Sequence, residues 1–298
     1  MSGTRKDRFW NRIRQILACI GLVFALALLG GFFGFVHPAL DGLSVARILT
    51  FAMSVLLLFA FRAAWLRFLT AVTCGFALAS IAVTLVPGPD KAADFSVYSK
   101  NLWANDLQTE ALLDDITASD TDAVFLQYIG QEHSDLLRAL SAPFPHRHLC
   151  DFDGNRAIAI LTRVPQEEGA RCADVYSMAA ARVVVNDQKI WLASVHLAKP
   201  WPFGDAAAER ASDALLQTLF GTSVIVGDFN AAGWSARVGQ MSTLTETELA
   251  RPILPTMTLF FVPLPIDLAL APGGGRIERR GHFGSDHRGI LAHLSLSK

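Results

Sequence analysis

VIVGDFN, residues 224–230, is a short apolar run that stops at an aspartate, with an asparagine two residues later. Such a run of β-branched residues is typical of a strand buried on both faces. Asp228 and Asn230 then stand at the end of the strand, where polar side chains often line a site in α/β proteins. The same arrangement recurs several times in the second half of the chain.

Short apolar runs separated by amphipathic stretches continue from residue 95 to the end of the chain. The runs that predict strands are Phe95–Tyr98, Ala123–Leu126, Ala157–Leu161, Ala181–Val185, Ile190–Val195, Val224–Val226, Ile266–Ala271 and Ile290–Leu296. Apolar positions on one face predict helices over 107–118, 134–140 and 206–219. Asn186-Asp187 between two of the runs predicts a tight hairpin. This pattern indicates one mixed α/β domain of about 210 residues.

The first part of the chain is too apolar for an ordinary soluble protein. Over all 298 residues, 52% are hydrophobic and the mean hydropathy is +0.35, with the excess concentrated before residue 88. Because about 20 apolar helical residues cross a hydrocarbon core of about 30 Å, we expect three transmembrane helices, at about 16–36, 43–61 and 68–86. The middle one spans only if Arg47 snorkels to the interface. Residues 1–87 are therefore predicted to be a membrane anchor, and residues 88–298 a separate domain.

Lysine and arginine predict the orientation of this anchor. Five basic residues and one acid precede the first span, and the second loop holds Arg62 and Arg67. Cytoplasmic loops carry the excess of basic residues, so three crossings leave residues 88–298 outside the cytoplasm. A cleaved signal peptide is the alternative for the first stretch, although that stretch is long for one and two more apolar segments follow it. The net charge of −1 gives no sign of general polyanion binding.

Polar side chains cluster where the predicted strands begin or end. They are Asn101, His196, Asp228, Asn230, Asp267 and the pair Asp286-His287. Each of them alone has an ordinary structural explanation, such as a turn, a cap or a hydrogen-bonded histidine at a strand end. Their repetition favours one shared site on which the side chains converge.

Five stretches, in this order, resemble the endonuclease/exonuclease/phosphatase superfamily of DNase I-like, metal-dependent phosphoesterases. They are SKNLW (99–103), SVHL (194–197), VGDFN (226–230), PID (265–267) and GSDH (284–287). The resemblance covers about residues 94–298, and GDFN followed by a distant SDH is its most specific part. It implies a four-layer α/β sandwich with two central sheets and an active site at one rim. The three-span anchor resembles membrane-bound bacterial members, which implies a multi-pass protein of the bacterial plasma membrane with its domain in the periplasm.

The resemblance also implies a role for each polar residue in cleaving a phosphoester, which needs an activated water and neutralised phosphoryl charge. The residue matching Asp228 orients or deprotonates the water, and Asn230 hydrogen-bonds the phosphate. His287 contacts the phosphoryl group and is held in tautomer and charge by Asp267. His196 lies on the phosphate or leaving-group side. We therefore expect a membrane-anchored, divalent-metal-dependent phosphodiesterase.

One position departs from the family pattern. Asn101 and Asp286 are expected to face a divalent cation, Mg²⁺ or Mn²⁺. In the family the strand matching 123–126 is followed by Gln-Glu, and that glutamate is the principal metal ligand, whereas this chain has Gln127-Tyr128. A phenol is uncharged at pH 7 and does not offset the charge of a cation. Three alternatives remain open: a metal held weakly by the other ligands, another acid such as Glu132 reaching in, or a domain that binds a phosphate-bearing ligand without hydrolysing it.

Substrate contacts and the cysteines complete the expectations. Arg288 and Trp234 are candidate substrate-binding residues, for a nucleic acid or a phospholipid head group, with a solvated basic loop and half-buried packing as the alternatives.

Cys150 and Cys172 are the two cysteines outside the predicted spans, and we predict a disulfide between them, with two unrelated buried thiols as the alternative. The chain is expected to be integral to the membrane, and no obligate protein partner is evident.

Overall fold

The computed structural model describes residues 5–88, 93–103, 106–154 and 156–297. Its contacts divide the chain into two units, Met1–Val83 with Trp234–Arg237, and Thr84–Gly233 with Val238–Lys298. The helices are α1 (Arg5–Gly30), α2 (Pro38–Val45), α3 (Arg47–Leu57), α4 (Ala64–Leu85), α5 (Thr109–Ala118), α6 (Ser134–Leu140), α7 (Ala206–Leu216) and α8 (Ala236–Leu244), with 3-10 turns at Leu58–Ala60 and Gln131–His133. The strands are β1 (Phe95–Asn101), β2 (Ala123–Ile129), β3 (His146–Asp151), β4 (Ala157–Thr162), β5 (Arg171–Cys172), β6 (Met178–Val185), β7 (Gln188–His196), β8 (Ser223–Asp228), β9 (Glu248–Leu249), β10 (Met257–Leu259), β11 (Val262–Leu264), β12 (Asp267–Ala271), β13 (Gly275–Arg279) and β14 (Ile290–Leu294).

Two helices of the first unit, α1 and α4, are long and apolar enough to cross a membrane. At 1.5 Å per residue their 26 and 22 residues span about 39 Å and about 33 Å. Arg14 Nε donates to Ala60 O (3.1 Å), whereas Arg47 Nη2 donates to Gly31 O (2.9 Å), so α3 runs antiparallel to α1. Arg47 Nη1 donates to Ser80 Oγ (3.0 Å) near the end of α4. Helices α1 and α4 therefore run in the same direction through this unit.

The prediction of a third continuous span over 43–61 is wrong. This stretch is divided between α2 and α3, and the axis bends by 74° at Ala46. The reason lies in Arg47, whose side chain is 3% exposed because it turns inward to hydrogen-bond Gly31 O and Ser80 Oγ instead of snorkelling outward. Helices α2 and α3, with the 3-10 turn that follows, are long and apolar enough to cross a membrane only if the two bent parts are taken as one segment.

The second unit is a mixed α/β fold built on two six-stranded sheets. In the first sheet the order is β13-β14-β1-β2-β4-β3, and in the second it is β5-β6-β7-β8-β12-β9. Each sheet contains one parallel pair, β1 with β2 and β7 with β8, among antiparallel neighbours. The sheets are therefore mixed, as is expected where some connections are hairpins and others are helical crossovers.

Apolar side chains cover both faces of each sheet, which is why the central strands are apolar throughout. One buried cluster joins side chains of the two sheets, among them Val97, Phe125, Ile160, Ala181, Leu192 and Val226. A second cluster joins the first sheet to α5 and α6, and a third joins the second sheet to α7 and α8. These clusters are consistent with a sandwich of two sheets that has helices on its outer faces.

A buried polar link also joins the two sheets. Gln127 Nε2 donates to Ser99 Oγ of β1 (3.2 Å) and to Ser194 Oγ of β7 (3.0 Å). All three side chains are almost completely buried. One amide therefore spans the gap between the sheets, close to the strand ends that carry the polar residues.

The predicted hairpin occurs between β6 and β7, where Val185 pairs with Gln188. Asn186 and Asp187 adopt φ of 50° and 61°, the left-handed conformation that a two-residue turn of this type requires. Cys150 on β3 and Cys172 on β5 form a disulfide with their Cα atoms 5.6 Å apart. Since β3 and β5 are edge strands of different sheets, this bond connects the two sheets along one side.

Candidate active site

Adjacent strands bring three of the predicted catalytic residues together. In the second sheet Asp228 lies directly opposite His196 of the parallel strand β7 and opposite Asp267 of the antiparallel strand β12. In the first sheet Asn101 lies opposite Gln127. Strand direction explains the convergence, because β1, β7 and β8 all end where β12 begins.

Asp228 is the centre of the cluster and is 1% exposed. Its Oδ2 accepts a hydrogen bond from Asn101 Nδ2 (3.0 Å), and its Oδ1 accepts one from the backbone nitrogen of Asn230 (2.8 Å). The Nε2 atoms of His196 and His287 both lie 3.6 Å from Oδ2. The carboxylate is therefore held by groups from both sheets, with an imidazole on each of two sides.

His287 is paired with a second carboxylate behind it. Its Nδ1 lies 2.8 Å from Asp267 Oδ2, and the two side chains are 5% and 3% exposed. Burial opposes the charge of the imidazolium, but the carboxylates of Asp267 and Asp228 outweigh it and raise the pKa of His287 to about 10. His287 is therefore a cation at neutral pH, aimed through Nε2 at Asp228.

His196 has the opposite charge preference. Burial lowers the pKa of its imidazole below the ordinary value, although Asp228 acts in the other direction. Its ring centroid lies 5.0 Å from that of Tyr176. One neutral and one protonated imidazole thus flank the same carboxylate, an arrangement that can both accept and donate protons.

Asn230 adopts φ of 47° directly after β8, which turns the chain back over the strand end. Its side-chain Nδ2 donates to Leu197 O (2.9 Å), in the segment that follows His196. The two loops that leave β7 and β8 are therefore tied together by this amide. The structure holds Asn230 beside Asp228, where it is available to a ligand at the strand ends.

The residues predicted to hold a cation offer oxygen donors. Asp286 Oδ1 is buried and has no hydrogen-bond partner among the described residues, and it lies 4.0 Å from His287 Nε2. Burial raises the pKa of Asp286, which a bound cation would counteract. Asn101 Oδ1 accepts one hydrogen bond, from Trp103 N (3.0 Å). An unsatisfied carboxylate oxygen and an amide oxygen are donors that suit a hard divalent cation such as Mg²⁺, which uses few protein ligands.

A second combination of donors exists within the cluster itself. Asp228, Asp267 and His287 each offer a ligand atom within 4.8 Å of the others. Nδ1 of His287 already lies within hydrogen-bond distance of Asp267. This group is consistent with divalent-metal dependence, although its geometry is equally that of a hydrogen-bonded relay.

Tyr128 occupies a β-bulge at the edge of the site. The pairing of β2 with β4 shifts between Leu126 and Ile129, and Tyr128 has φ of 60°. Its backbone nitrogen donates to Tyr176 Oη (2.8 Å), and its ring centroid lies 6.3 Å from that of His196. The aromatic side chain therefore lies at the rim of the cluster, at the position where the sequence resemblance leads us to expect an acid.

Glu132, the acid considered as a replacement, is not brought to the site. Its side chain is 70% exposed and lies 3.5 Å from His133 Nδ1. In the described ranges no contact joins it to Asp286 or to Asn101. The alternative that Glu132 completes a metal shell therefore has no support in this structure.

Three residues near the site escaped sequence reasoning. Tyr176 contacts His196 and Tyr128. It lies in the loop before β6, where the sequence has no apolar run that would predict a strand end. Ser285 Oγ donates to Asn101 O (2.8 Å) and accepts from His287 N (3.1 Å), a role that its place in GSDH could have suggested. Lys100 is 1% exposed and donates to Gly281 O, His282 O and His287 O. It fastens the loop that carries Asp286 and His287.

The two candidate substrate-binding residues belong to different units. Trp234 belongs to the first unit, where its Nε1 donates to Ser44 O (2.8 Å) and the Arg47 guanidinium lies 5.8 Å from its ring. Arg288 is partly buried, and its backbone nitrogen donates to Thr256 O (2.7 Å). Trp201 and Phe203, in the loop after His196, are 59% and 79% exposed, so neither is a half-buried packing residue.

Comparison with known proteins supports the assignment that the motifs suggest. The model of the Endonuclease/Exonuclease/phosphatase family matches residues 95–287, which include the whole cluster described above. No curated protein matches the chain.

Solved structures resemble about two thirds of the chain. An endonuclease/exonuclease/phosphatase family protein from Leptotrichia buccalis C-1013-b matches with a TM-score of 0.55 at 14% identity, over 67% of this chain and 99% of that one. TDP2 of D. rerio, humanized by 14 mutations, matches with 0.52 at 17% identity, over 66% and 97%. Truncated TDP2 of Caenorhabditis elegans matches with 0.52 at 15% identity, over 66% and 96%. At such identities the likeness shows the fold, and the family match covers well over half of the chain: it belongs to the Endonuclease/Exonuclease/phosphatase family.

Proposed function

We propose that this chain is a membrane-anchored, divalent-metal-dependent phosphodiesterase whose site is centred on Asp228. The observation that carries this proposal is the array in which Asp267 holds His287, and His287 and His196 both lie 3.6 Å from the same carboxylate oxygen. Phosphoester hydrolysis requires a base for water, a cation for the phosphoryl oxygens and a proton for the leaving oxygen. Within one buried cluster, Asp228 provides the base and the imidazolium of His287 provides the positive charge. The same imidazolium can give its Nε2 proton to the leaving oxygen and recover the proton that Asp228 takes from the water.

Each side chain has one task in this reaction. Asp228, as a carboxylate, orients the attacking water and accepts its proton. His287, as an imidazolium, binds the phosphoryl oxygens and stabilises the charge that develops on them. Asn230 adds a neutral hydrogen bond to the phosphate, and His196 lies beside the leaving group. Asp267 preserves the charge and orientation of His287.

Asp286 and Asn101 are the residues that would hold the cation, Mg²⁺ or Mn²⁺. When bound, the cation would act as a Lewis acid on the phosphoryl and leaving oxygens. The buried, unpartnered Oδ1 of Asp286 supports this assignment. Because Tyr128 adds no charge, we expect binding weaker than in a site with two carboxylates.

Hydrolysis is tested with the full chain purified in detergent, using bis-p-nitrophenyl phosphate with Mg²⁺ or Mn²⁺. We expect turnover that Asp228→Asn and His287→Asn each reduce at least about a hundredfold, whereas Asp135→Asn, an exposed control on α6, leaves it unchanged. Activity in Asp228→Asn equal to that of the parent would contradict the assigned role of this residue.

A second function is favoured by Tyr128 alone. A chain without the acidic metal ligand can keep a phosphate-binding site and lose turnover, acting as an anchored binding module. No hydrolysis with any divalent ion, together with activity created by Tyr128→Glu, would support the binding module and overturn the enzyme.

The location is part of the proposal. We propose that residues 1–87 anchor the chain in a bacterial plasma membrane and that residues 88–298 form the hydrolase domain on the periplasmic side. The common direction of α1 and α4 supports this, because the basic residues before Arg14 lie at the opposite end of the first unit from Ser80. A C-terminal reporter that is active only in the cytoplasm would refute it. In the periplasm, nucleic acids and phospholipid head groups are both available substrates.

A further inference from the structure

A β-hairpin next to the site carries two exposed phenylalanines at its tip. Strands β10 and β11 pair antiparallel, and Phe260 and Phe261 form the two-residue turn between them. The two side chains are 87% and 98% exposed. Both residues have positive φ, 45° and 70°, where asparagine and glycine are the usual residues. A turn built for water alone would not place two large apolar residues in this conformation.

The sequence on both sides of the turn contains no charged residue. The 15 residues Pro252–Ile266, which include both strands of the hairpin, lack any Asp, Glu, Lys or Arg. Leu259, directly before the tip, is 47% exposed. Transfer of this tip from water to an apolar phase therefore desolvates no ionised side chain, and it is favoured by the apolar area that leaves water.

The root of the hairpin is bonded to the end of a helix that is long and apolar enough to cross a membrane. Ile253 N donates to Thr84 O (2.8 Å), and Thr84 is the penultimate residue of α4. Gly88 N donates to Arg251 O (3.4 Å), which fastens the next part of the chain to the same segment. A bilayer that holds α4 thus ends within a few residues of the hairpin. This contact favours lipid as the apolar phase within reach of the tip.

The other side of the root is bonded to the catalytic pair. Thr256 N donates to Leu264 O (3.0 Å) and closes the base of the hairpin. Thr256 Oγ1 accepts from Asp267 N (3.2 Å), and Thr256 O accepts from Arg288 N (2.7 Å). The hairpin therefore shares its base with the backbone of Asp267 and with the residue that follows His287.

We propose that Phe260 and Phe261 insert into the bilayer that holds α4, and that the site of Asp228 and His287 thereby acts on phosphoesters carried by lipid head groups. The second half of this statement rests on the proposed phosphodiesterase function. The first half does not, because it concerns only where the hairpin lies. Apolar side chains that enter the head-group and acyl boundary bind in proportion to their buried apolar area.

Insertion is tested by fluorescence quenching on the full chain in phosphatidylcholine vesicles. The free cysteines Cys19 and Cys74 are first replaced by serine and alanine. An environment-sensitive dye is then attached at Phe261→Cys or, as the matched control, at Phe220→Cys. Phe220 is 84% exposed but lies just before β8 begins, at the opposite end of that strand from Asp228.

We expect blue-shifted emission and quenching by lipids brominated on the acyl chains at residue 261, and neither at residue 220. A dye at residue 261 that stays in water, unquenched by brominated lipid, overturns the insertion. If the dye at residue 261 is shielded from water more strongly as more protein is added per vesicle, but is not quenched by brominated lipid, the hairpin contacts a second copy of this chain. That result would also overturn the insertion.

The substrate is tested with the double variant Phe260→Ser/Phe261→Ser and the control Phe220→Ser. Phosphatidylglycerol is included in the vesicles for this test, and its turnover is compared with turnover of soluble bis-p-nitrophenyl phosphate. We expect the lipid-to-soluble ratio to fall at least about tenfold in the double variant and to stay constant in the control. An unchanged ratio refutes the lipid substrate. A parent chain that turns over neither compound contradicts the phosphodiesterase function, while the quenching result still decides the position of the hairpin.

Discussion

Nδ1 of His287 lies 2.8 Å from Oδ2 of Asp267, and the two side chains are 5% and 3% exposed. Both groups are buried, so the charge of Asp267 acts strongly on the imidazole of His287. The carboxylates raise the pKa of His287 to about 10 against the opposing effect of burial. A cationic imidazole at neutral pH is therefore a property of the pair.

Asp267→Asn removes one of these charges and keeps the shape of the side chain. The pKa of His287 then falls, so the alkaline limb of the rate profile moves to lower pH, and kcat at pH 8 falls about 10²–10⁴-fold. The measurement is kcat against pH for the parent and the variant, with Asp267→Glu as the variant that keeps the charge. An alkaline limb that does not move would show that Asp267 does not maintain the charge of His287.

Tyr128→Glu adds a carboxylate at the position where the family carries its metal ligand. We expect the affinity for Mg²⁺ to rise at least about tenfold, because a second carboxylate offsets the charge of the cation. Tyr128→Gln, which is also polar but uncharged, is the control and should show no such gain. Titration calorimetry on the full chain measures both, and equal affinities in parent and Tyr128→Glu would place the cation away from this residue.

His133 should make the stability depend on pH. Its side chain is 5% exposed, Nδ1 accepts from Gly130 N (2.9 Å), and burial lowers its pKa. Since the unfolded histidine takes up its proton near pH 6.5, the free energy of unfolding decreases as the pH falls below that value, by at most about 1.4 kcal/mol per pH unit.

The control for this effect is His133→Asn, whose Oδ1 can accept from Gly130 N and does not titrate. Thermal unfolding at pH 7.5 and at pH 5.5 should show a smaller acid destabilisation in this variant than in the parent. Equal losses in both proteins would mean that other groups carry the acid sensitivity.

Asp187→Gly should stabilise the turn between β6 and β7. Asp187 has φ of 61°, a conformation that glycine adopts without steric cost. We expect a gain of about 0.5–1 kcal/mol in the free energy of unfolding. Lys189→Gly, in the neighbouring strand, should be destabilising instead, and a loss of stability in Asp187→Gly would contradict the turn geometry.

Much of the second unit was predictable because its central strands are covered on both faces. Ala123–Leu126 and Val224–Val226 are continuous apolar runs, and the observed strands extend them by only a few residues. Edge strands were not predictable in this way. β3 alternates exposed and covered positions and reads HRHLCD, and β5 has two exposed residues, so neither forms an apolar run.

The same distinction applies to the site, where residues at strand ends were predictable and a residue in a loop was not. Asn101, His196, Asp228 and Asp267 stand directly at strand ends, where sequence position implies spatial position. Tyr176 lies in a loop whose course depends on packing against His196, and no local pattern specifies it. The bend at Ala46 was also hidden, because the apolar composition of 43–61 is compatible with a straight helix until Arg47 turns inward.

The link from Gln127 to Ser99 and Ser194 has a consequence for how such a site can diverge. Its two halves are Asn101 on one sheet and His196 with Asp228 on the other. This buried amide helps to set their separation, together with the hydrogen bond from Asn101 to Asp228. Replacing any one member of this trio leaves hydrogen-bonding groups of the other two buried without partners. A change in the width of the cleft therefore requires that all three be exchanged together. Changes of substrate are therefore far more accessible through the loops and Tyr128 at the rim than through the spacing of the cleft itself.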